Sequence, residues 1–364
     1  RPFRYTPPMK PRALLLVLPV FLTGCLFSAN QPVLGPTGAA ALFLAADGTY
    51  ALFAETGTLH ILRDGTLAAI PAATISSLGG VLDWSPDGTE ILYSTLEEGD
   101  EFAEYTSTLC RVTAAPDAMP VTFLRSDDAI VHAAFAADGD VLVLQLGGSS
   151  FGALDLLDRE TGARDRLNVD VISFHLAADR RTLTLIVAED ADPVSVARIV
   201  RVVLGTEERD EVASFVLNEQ TVSAYSLLPH RFLWDADPSG RFVALCVYDQ
   251  VLVSPAFEDE VPAVYLIDAQ AATSDRLTRM GMMPCFSPDG ARLAYVTSTD
   301  GSDARVVIRD LAAGSTADVA SSDGATTCSW LGPTTLALGF EVDEDRYRLV
   351  RVDVVTGETV VLVE

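Results

Sequence analysis

Short apolar runs broken by single polar positions fill most of the chain: residues 90–94 read EILYS, 141–146 read VLVLQL and 182–187 read TLTLIV. The period of two predicts β-strands, and the nearly continuous apolar runs predict strands buried on both faces. No stretch of helical length between them shows a 3.6-residue period, which disfavours a parallel α/β arrangement. Two runs are introduced by almost the same phrase, DWSPDGTEILYST at 83–95 and CFSPDGARLAYVTS at 285–298. Ser at the first corner, Pro fixing φ at the second, Asp at the third and Gly at the fourth describe a type I turn, so each phrase predicts a β-hairpin.

Weaker copies of the phrase are LAADGTYALFAE (44–55), FAADGDVLVLQ (135–145), LAADRRTLTLIV (176–187), DADPSGRFVALCV (235–247) and WLGPTTLALGF (330–340), which makes seven. Turn positions Asp47, Asp87, Asp138, Asp179, Pro238, Asp289 and Gly332 are separated by 40, 51, 41, 59, 51 and 43 residues. Most copies are followed by a second strand pair around a second turn, as in RETGARDRL (159–167) and VVTGETVVLV (354–363). A four-strand antiparallel unit repeated at this spacing predicts an all-β, seven-bladed β-propeller, in which small sheets shield one another's faces.

These phrases resemble the TolB-like (WD40-like) propeller repeat, which pairs an aromatic-Ser-Pro-Asp-Gly turn with an Asp-x-x-Thr-Gly turn. The resemblance covers residues 41–364, is clearest in units two and six, and implies fold more firmly than function. Trp234-Asp235 precedes a first turn instead of closing a third strand, so it carries no WD-repeat meaning. TolB-like propellers occur beside other domains or alone; here residues 41–364 read as the propeller and no α/β-hydrolase partner is apparent. Gly148-Ser149-Ser150-Phe151-Gly152 spells G-x-S-x-G but lies between two predicted strands, without the strand-turn-helix setting of a nucleophile elbow.

Residues 1–8 read as an upstream mis-start and 9–24 as a signal peptide, with Met9-Lys10-Pro11-Arg12 before the apolar run ALLLVLPVFL. Leu22-Thr23-Gly24-Cys25 resembles a bacterial lipobox, which implies that Cys25 is lipidated, that 25–40 is a tether, and that the propeller sits outside the cytoplasm on a membrane reached through the lipid. The formal charge of −26 becomes −30 once residues 1–24, with four bases and no acid, are removed. Such a surface repels phosphate backbones and anionic headgroups, so nucleic acid is excluded as a partner.

Chemistry-bearing residues are few. Cys110, Cys246, Cys285 and Cys328 lack zinc-site spacing, so no metal or other cofactor is expected. Cys285 and Cys328 fall on the predicted innermost strands of units six and seven, where a disulfide would tie the last unit into the ring; four buried thiols is the other reading. His132, His175 and His230 fall on the innermost strands of units three, four and five, the first two with the same parity, and are channel-ligand candidates. Acids cluster between second and third strands at Glu97, Glu98, Asp100, Glu101 and Glu104, at Glu189, Asp190 and Asp192, at Asp249 and Glu258 to Glu260, and at Glu341 and Asp343 to Asp345, which reads either as an acidic face for a cationic partner or as ordinary solvation of exposed loops. Two function classes follow. One is a monomeric, lipid-anchored, non-enzymatic scaffold binding an envelope protein, peptide or glycan; the other is a propeller hydrolase or lyase using channel-facing His and carboxylates.

Overall fold

The computed structural model describes residues 42–363 except 45–49, 54–57, 64–65, 75–79, 99–104, 147–151, 190–194, 207, 218–232, 255–256, 272, 299–303 and 344–345. The anchor segment with Cys25, the tether, most of the GSSFG stretch and His230 lie outside the described residues.

Among the described residues, six antiparallel sheets follow one another along the chain. Sheet one holds β1 (Leu42–Leu44), β2 (Tyr50–Phe53), β3 (Thr58–Arg63) and β4 (Thr66–Thr74). Sheet two holds β5 (Gly80–Trp84), β6 (Glu90–Glu98), β7 (Tyr105–Thr113) and β8 (Val121–Ser126). Sheet three has seven strands: β9 (Ala129–Phe135), β10 (Val141–Leu146), β11 (Gly152–Leu157), β12 (Arg164–Leu176), β13 (Thr182–Glu189), β14 (Ser195–Val203) and β15 (Arg209–Leu217). Sheet four holds β16 (Trp234–Ala236), β17 (Phe242–Ser254), β18 (Phe257–Asp268) and β19 (Thr273–Arg276). Sheet five holds β20 (Gly281–Phe286), β21 (Arg292–Thr297), β22 (Arg305–Asp310) and β23 (Thr316–Asp318), and sheet six holds β24 (Ala325–Gly332), β25 (Thr335–Asp343), β26 (Arg346–Asp353) and β27 (Thr359–Val363).

The turns explain this regularity. Gly88 N–H donates to Ser85 O at 2.8 Å, and Gly88 sits at φ 70, where a side chain would be strained. The Ser85 hydroxyl accepts from Glu90 N–H at 2.8 Å, so it closes the hairpin that the phrase predicts. Ser287 does the same for Arg292 N–H at 2.9 Å, and Asp237 replaces the serine in sheet four by accepting from Phe242 N–H at 2.6 Å. At the second turns Asp158, Asp268 and Asp353 each accept two backbone N–H groups, the side-chain turn that makes Asp favourable there.

The core lies between sheets. Leu92 and Leu109 of sheet two pack with Ile130, Phe135 and Val143 of sheet three; Ala244 and Val264 of sheet four pack with Phe286 and Leu293 of sheet five. Complete burial of each large aliphatic contributes about 1.5–3 kcal/mol, which no sheet obtains alone. Lead strands touch lead strands, β5 against β9, β16 against β20 and β20 against β24, while the outer strands β19 and β23 are exposed along their length.

Two features differ from a simple repeat. β12 serves twice: its first half pairs with β11 and its second half with β13, and Asp170 at φ 60 marks the change of course. Lead strands also bulge, with register shifts in β5, β9, β12, β20 and β24, and each extra residue bends the strand. The acids expected in a loop of unit five instead extend a long hairpin, in which Asp249 faces Val261, Gln250 faces Glu260 and Leu252 faces Glu258. The alternation of apolar residues in β17 continues past the expected turn and carries the ladder outward.

Candidate functional site

One repeat position, two residues ahead of the first turn's opening corner, carries most of the polar chemistry. It is Asp83 in β5, Ala134 in β9, His175 in β12, Asp235 in β16, Cys285 in β20 and Ser329 in β24. Because lead strands stand side by side, a side chain here reaches the next lead strand.

Asp235 is the centre of the belt. Its Oδ1 lies 3.1 Å from His175 Nδ1, across the seam towards the second half of sheet three. Its Oδ2 accepts from Phe286 N–H at 2.7 Å, across the opposite seam. The Trp234 ring meets the His175 ring edge-on at 6.0 Å between centroids, and Trp234 Nε1–H donates to the Ser173 hydroxyl. His175 Nδ1 is therefore held by a carboxylate, which orients the imidazole. The side chains are partly open to solvent, 29% for His175 and 21% for Asp235.

Asp83 repeats the device: its Oδ2 accepts from Phe135 N–H at 2.9 Å and from Arg180 Nη1. Arg180 stands where the turn phrase has Gly, at φ 55, and its guanidinium also donates to Phe135 O at 3.3 Å and Trp84 O at 3.4 Å. It ties the two halves of sheet three to sheet two. Burial pushes the Asp83 carboxyl above the ordinary carboxylate range, and the Arg180 charge opposes that rise.

The remaining described candidates also stand at seams between lead strands. His132 lies against Phe174 at 4.3 Å between ring centroids, one seam away from the His175–Asp235 pair. Cys285 Sγ and Cys328 Sγ face each other at 3.8 Å across the seam of sheets five and six, both as free thiols. Contact with the Cys328 sulfur and burial raise the Cys285 thiol well above its ordinary value, so it is held protonated. Among the described residues no group of three or more His, Cys, Asp or Glu side chains is arranged to hold a metal ion.

Sequence reasoning selected His132, His175, Cys285 and Cys328 but missed Asp83, Arg180 and Asp235. For the two carboxylates a signal was available in the repeat alignment, since an Asp in a mostly apolar strand stands two residues ahead of the turn in both cases; for Arg180 it was a charged residue where the turn phrase has Gly. Trp234-Asp235, meaningless as a WD repeat, supplies both of its side chains to the seam contacts.

No family model matches the chain, and no curated protein sequence matches it. Solved structures do match in fold. The β-propeller domain of the trilobed protease from Pyrococcus furiosus, described as having an open velcro topology, superposes with a TM-score of 0.56 at 14% identity over 90% of this chain and 96% of that one. A puromycin-hydrolysing peptidase from Mycobacterium tuberculosis gives 0.50 at 16% identity over 90% of this chain and 54% of that one, so this chain spans about half its length. TolB from Acinetobacter baumannii gives 0.47 at 15% identity over 86% of this chain and 76% of that one. At these identities the likeness concerns architecture: the chain is an all-β protein with the β-propeller fold.

Proposed function

We propose that the protein is a lipid-anchored, seven-bladed propeller of the cell envelope that works as a non-enzymatic scaffold for a protein, peptide or glycan. Seven blades follow if β12 is counted in both halves of sheet three, one blade being β9 to the first part of β12 and the next its second part to β15. Residues 41–364 form the propeller, 25–40 the tether, and Cys25 carries the lipid. No described helix is long and apolar enough to cross a membrane, and the proposed attachment relies on acyl chains instead. The strongly negative chain disfavours nucleic acid, and the scaffold acts as a monomer.

One observation carries the scaffold reading. The interior groups best suited to chemistry are engaged as ties between consecutive sheets: Asp83 with Arg180 and Phe135 N–H, Asp235 with His175 and Phe286 N–H. A rigid ring held in this way presents its loops as a broad binding face. The hydrolase or lyase reading draws on the same pair, because a carboxylate on Nδ1 is how a general-base histidine is oriented.

The anchor is tested by growing cells that express the full chain with radiolabelled palmitate. Label is expected in the wild-type protein in the membrane fraction and lost in Cys25→Ser. Equal labelling of both, or none in either, removes the anchor from the proposal.

A further inference from the structure

Sheet six is built from four consecutive strands, β24 to β27, and among the described residues no strand from the start of the chain joins it. A last sheet without a borrowed strand is held to its neighbour by side chains across the seam. At the seam with sheet five those include Trp330, whose Nε1–H donates to Cys285 O at 3.0 Å, and the two facing thiols. Cys328 is buried with its sulfur 3.6 Å from Met283 O, while Cys285 is half-buried.

We propose that Cys285 and Cys328 form a disulfide clip that locks the last sheet to the one before it. The sulfurs lie 3.8 Å apart on adjacent lead strands, against about 2.05 Å in a disulfide, so bond formation requires the two side chains to turn towards one another. Cys110 and Cys246 are buried in other sheets, Cys246 with its sulfur 3.5 Å from Gly281 O.

The oxidant is a low-molecular-weight disulfide such as oxidised glutathione. The more accessible Cys285, once deprotonated, attacks one sulfur of the oxidant, forms a mixed disulfide and releases one glutathione thiolate. The Cys328 thiolate then attacks Cys285 Sγ, the Cys285–Cys328 bond forms, and the second glutathione leaves. The two protein protons end on the two released thiols, and the two electrons reduce the oxidant. Because Cys285 is held protonated, exchange is slow near neutrality and quickens with alkali, so the clip is a stable lock more than a rapid sensor. The inference rests on side-chain geometry and is independent of where the protein is located.

The test equilibrates the folded full chain in glutathione buffers of varied redox ratio, blocks free thiols under denaturing conditions, and maps tryptic peptides without reduction. The expected product joins peptide 280–292 to peptide 310–346, its fraction follows the buffer ratio, and oxidation raises the Tm of wild type by several degrees. Cys328→Ser and Cys285→Ala should each lose both the linked peptide and the redox dependence of Tm while Cys110→Ser keeps them. Full alkylation of Cys285 and Cys328 after oxidation, or their linkage to any other cysteine, overturns the proposal.

Discussion

Replacing Asp235 by Ala removes one carboxylate that serves two seams. Its hydrogen bond to Phe286 N–H, 2.7 Å long, is charge-assisted and contributes about 1.5–3 kcal/mol. Phe286 is 7% exposed, so its N–H gains no ready water partner, and the orphaned donor adds a desolvation cost of about 1–3 kcal/mol. Part of this overlaps the first contribution. His175, at 29% side-chain exposure, recovers hydration and contributes little, about 0.5–1 kcal/mol. Asp235→Ala is therefore expected to destabilise by about 3–4 kcal/mol. Asp235→Asn keeps an oxygen for Phe286 N–H and should recover more than half of that loss. Equilibrium urea denaturation followed by tryptophan fluorescence reads the change as a lower midpoint at constant slope. An Ala variant within about 0.5 kcal/mol of wild type, or an Asn variant as damaged as Ala, refutes the reasoning that this backbone bond holds the seam.

Arg180→Gly relieves a left-handed residue at φ 55 but strips Asp83 of its guanidinium, so the expected net effect is a loss of about 2–4 kcal/mol at neutral pH, restored in part by Asp83→Asn in the same chain; a stabilised single variant in urea contradicts the three-way tie. Asp87 and Asp268 are drawn down to about 2 by turn hydrogen bonds and by Arg241 respectively. A depressed carboxyl stabilises the fold above its ordinary value near 3.8 and loses that contribution as pH falls towards 2, so Asp87→Asn should flatten the acid limb of the stability curve between pH 4 and 2. Asp83 has the opposite sign: its raised value means that ionisation opposes folding, and acidification through that value relieves the opposition. Asp83→Asn should weaken the pH dependence above the ordinary carboxylate range, as read by thermal melts across pH.

The hairpins were legible because turn chemistry is local. Ser85, Asp87 and Gly88 hydrogen-bond within six residues of one another, so their spelling suffices to define the turn. Alternation then gave which residues share a strand face, and recurrence gave the face-to-face packing of small sheets. Bulges resisted prediction because nothing in VLDW or AIVHAAF distinguishes a residue paired in the ladder from one that is skipped. Those skips decide which side chain faces which seam. The two histidines differ for a simpler reason, since His132 stands three residues before the strand end at Phe135 and His175 one before Leu176: His132 takes the repeat position of Ser173 and His175 that of Asp83 and Asp235, despite their shared parity. Facing of Cys285 and Cys328 was anticipated as strand adjacency, but only the register brings the sulfurs to 3.8 Å. The fusion of units three and four through β12 was hidden for a different reason: residues 164–176 contain no Gly or Pro to announce a turn, and the one reversal of alternation, at Val171-Ile172 beside the change of partner, spells a bulge and not a boundary.

The scaffold reading is tested most directly by turnover. Purified full chain is assayed against panels of peptide, ester and glycoside substrates beside His175→Ala and Asp235→Asn, with circular dichroism confirming that all three are folded. The account predicts no turnover above buffer for any of them. Turnover by wild type that disappears in both folded variants would contradict it and make the His175–Asp235 pair a catalytic centre.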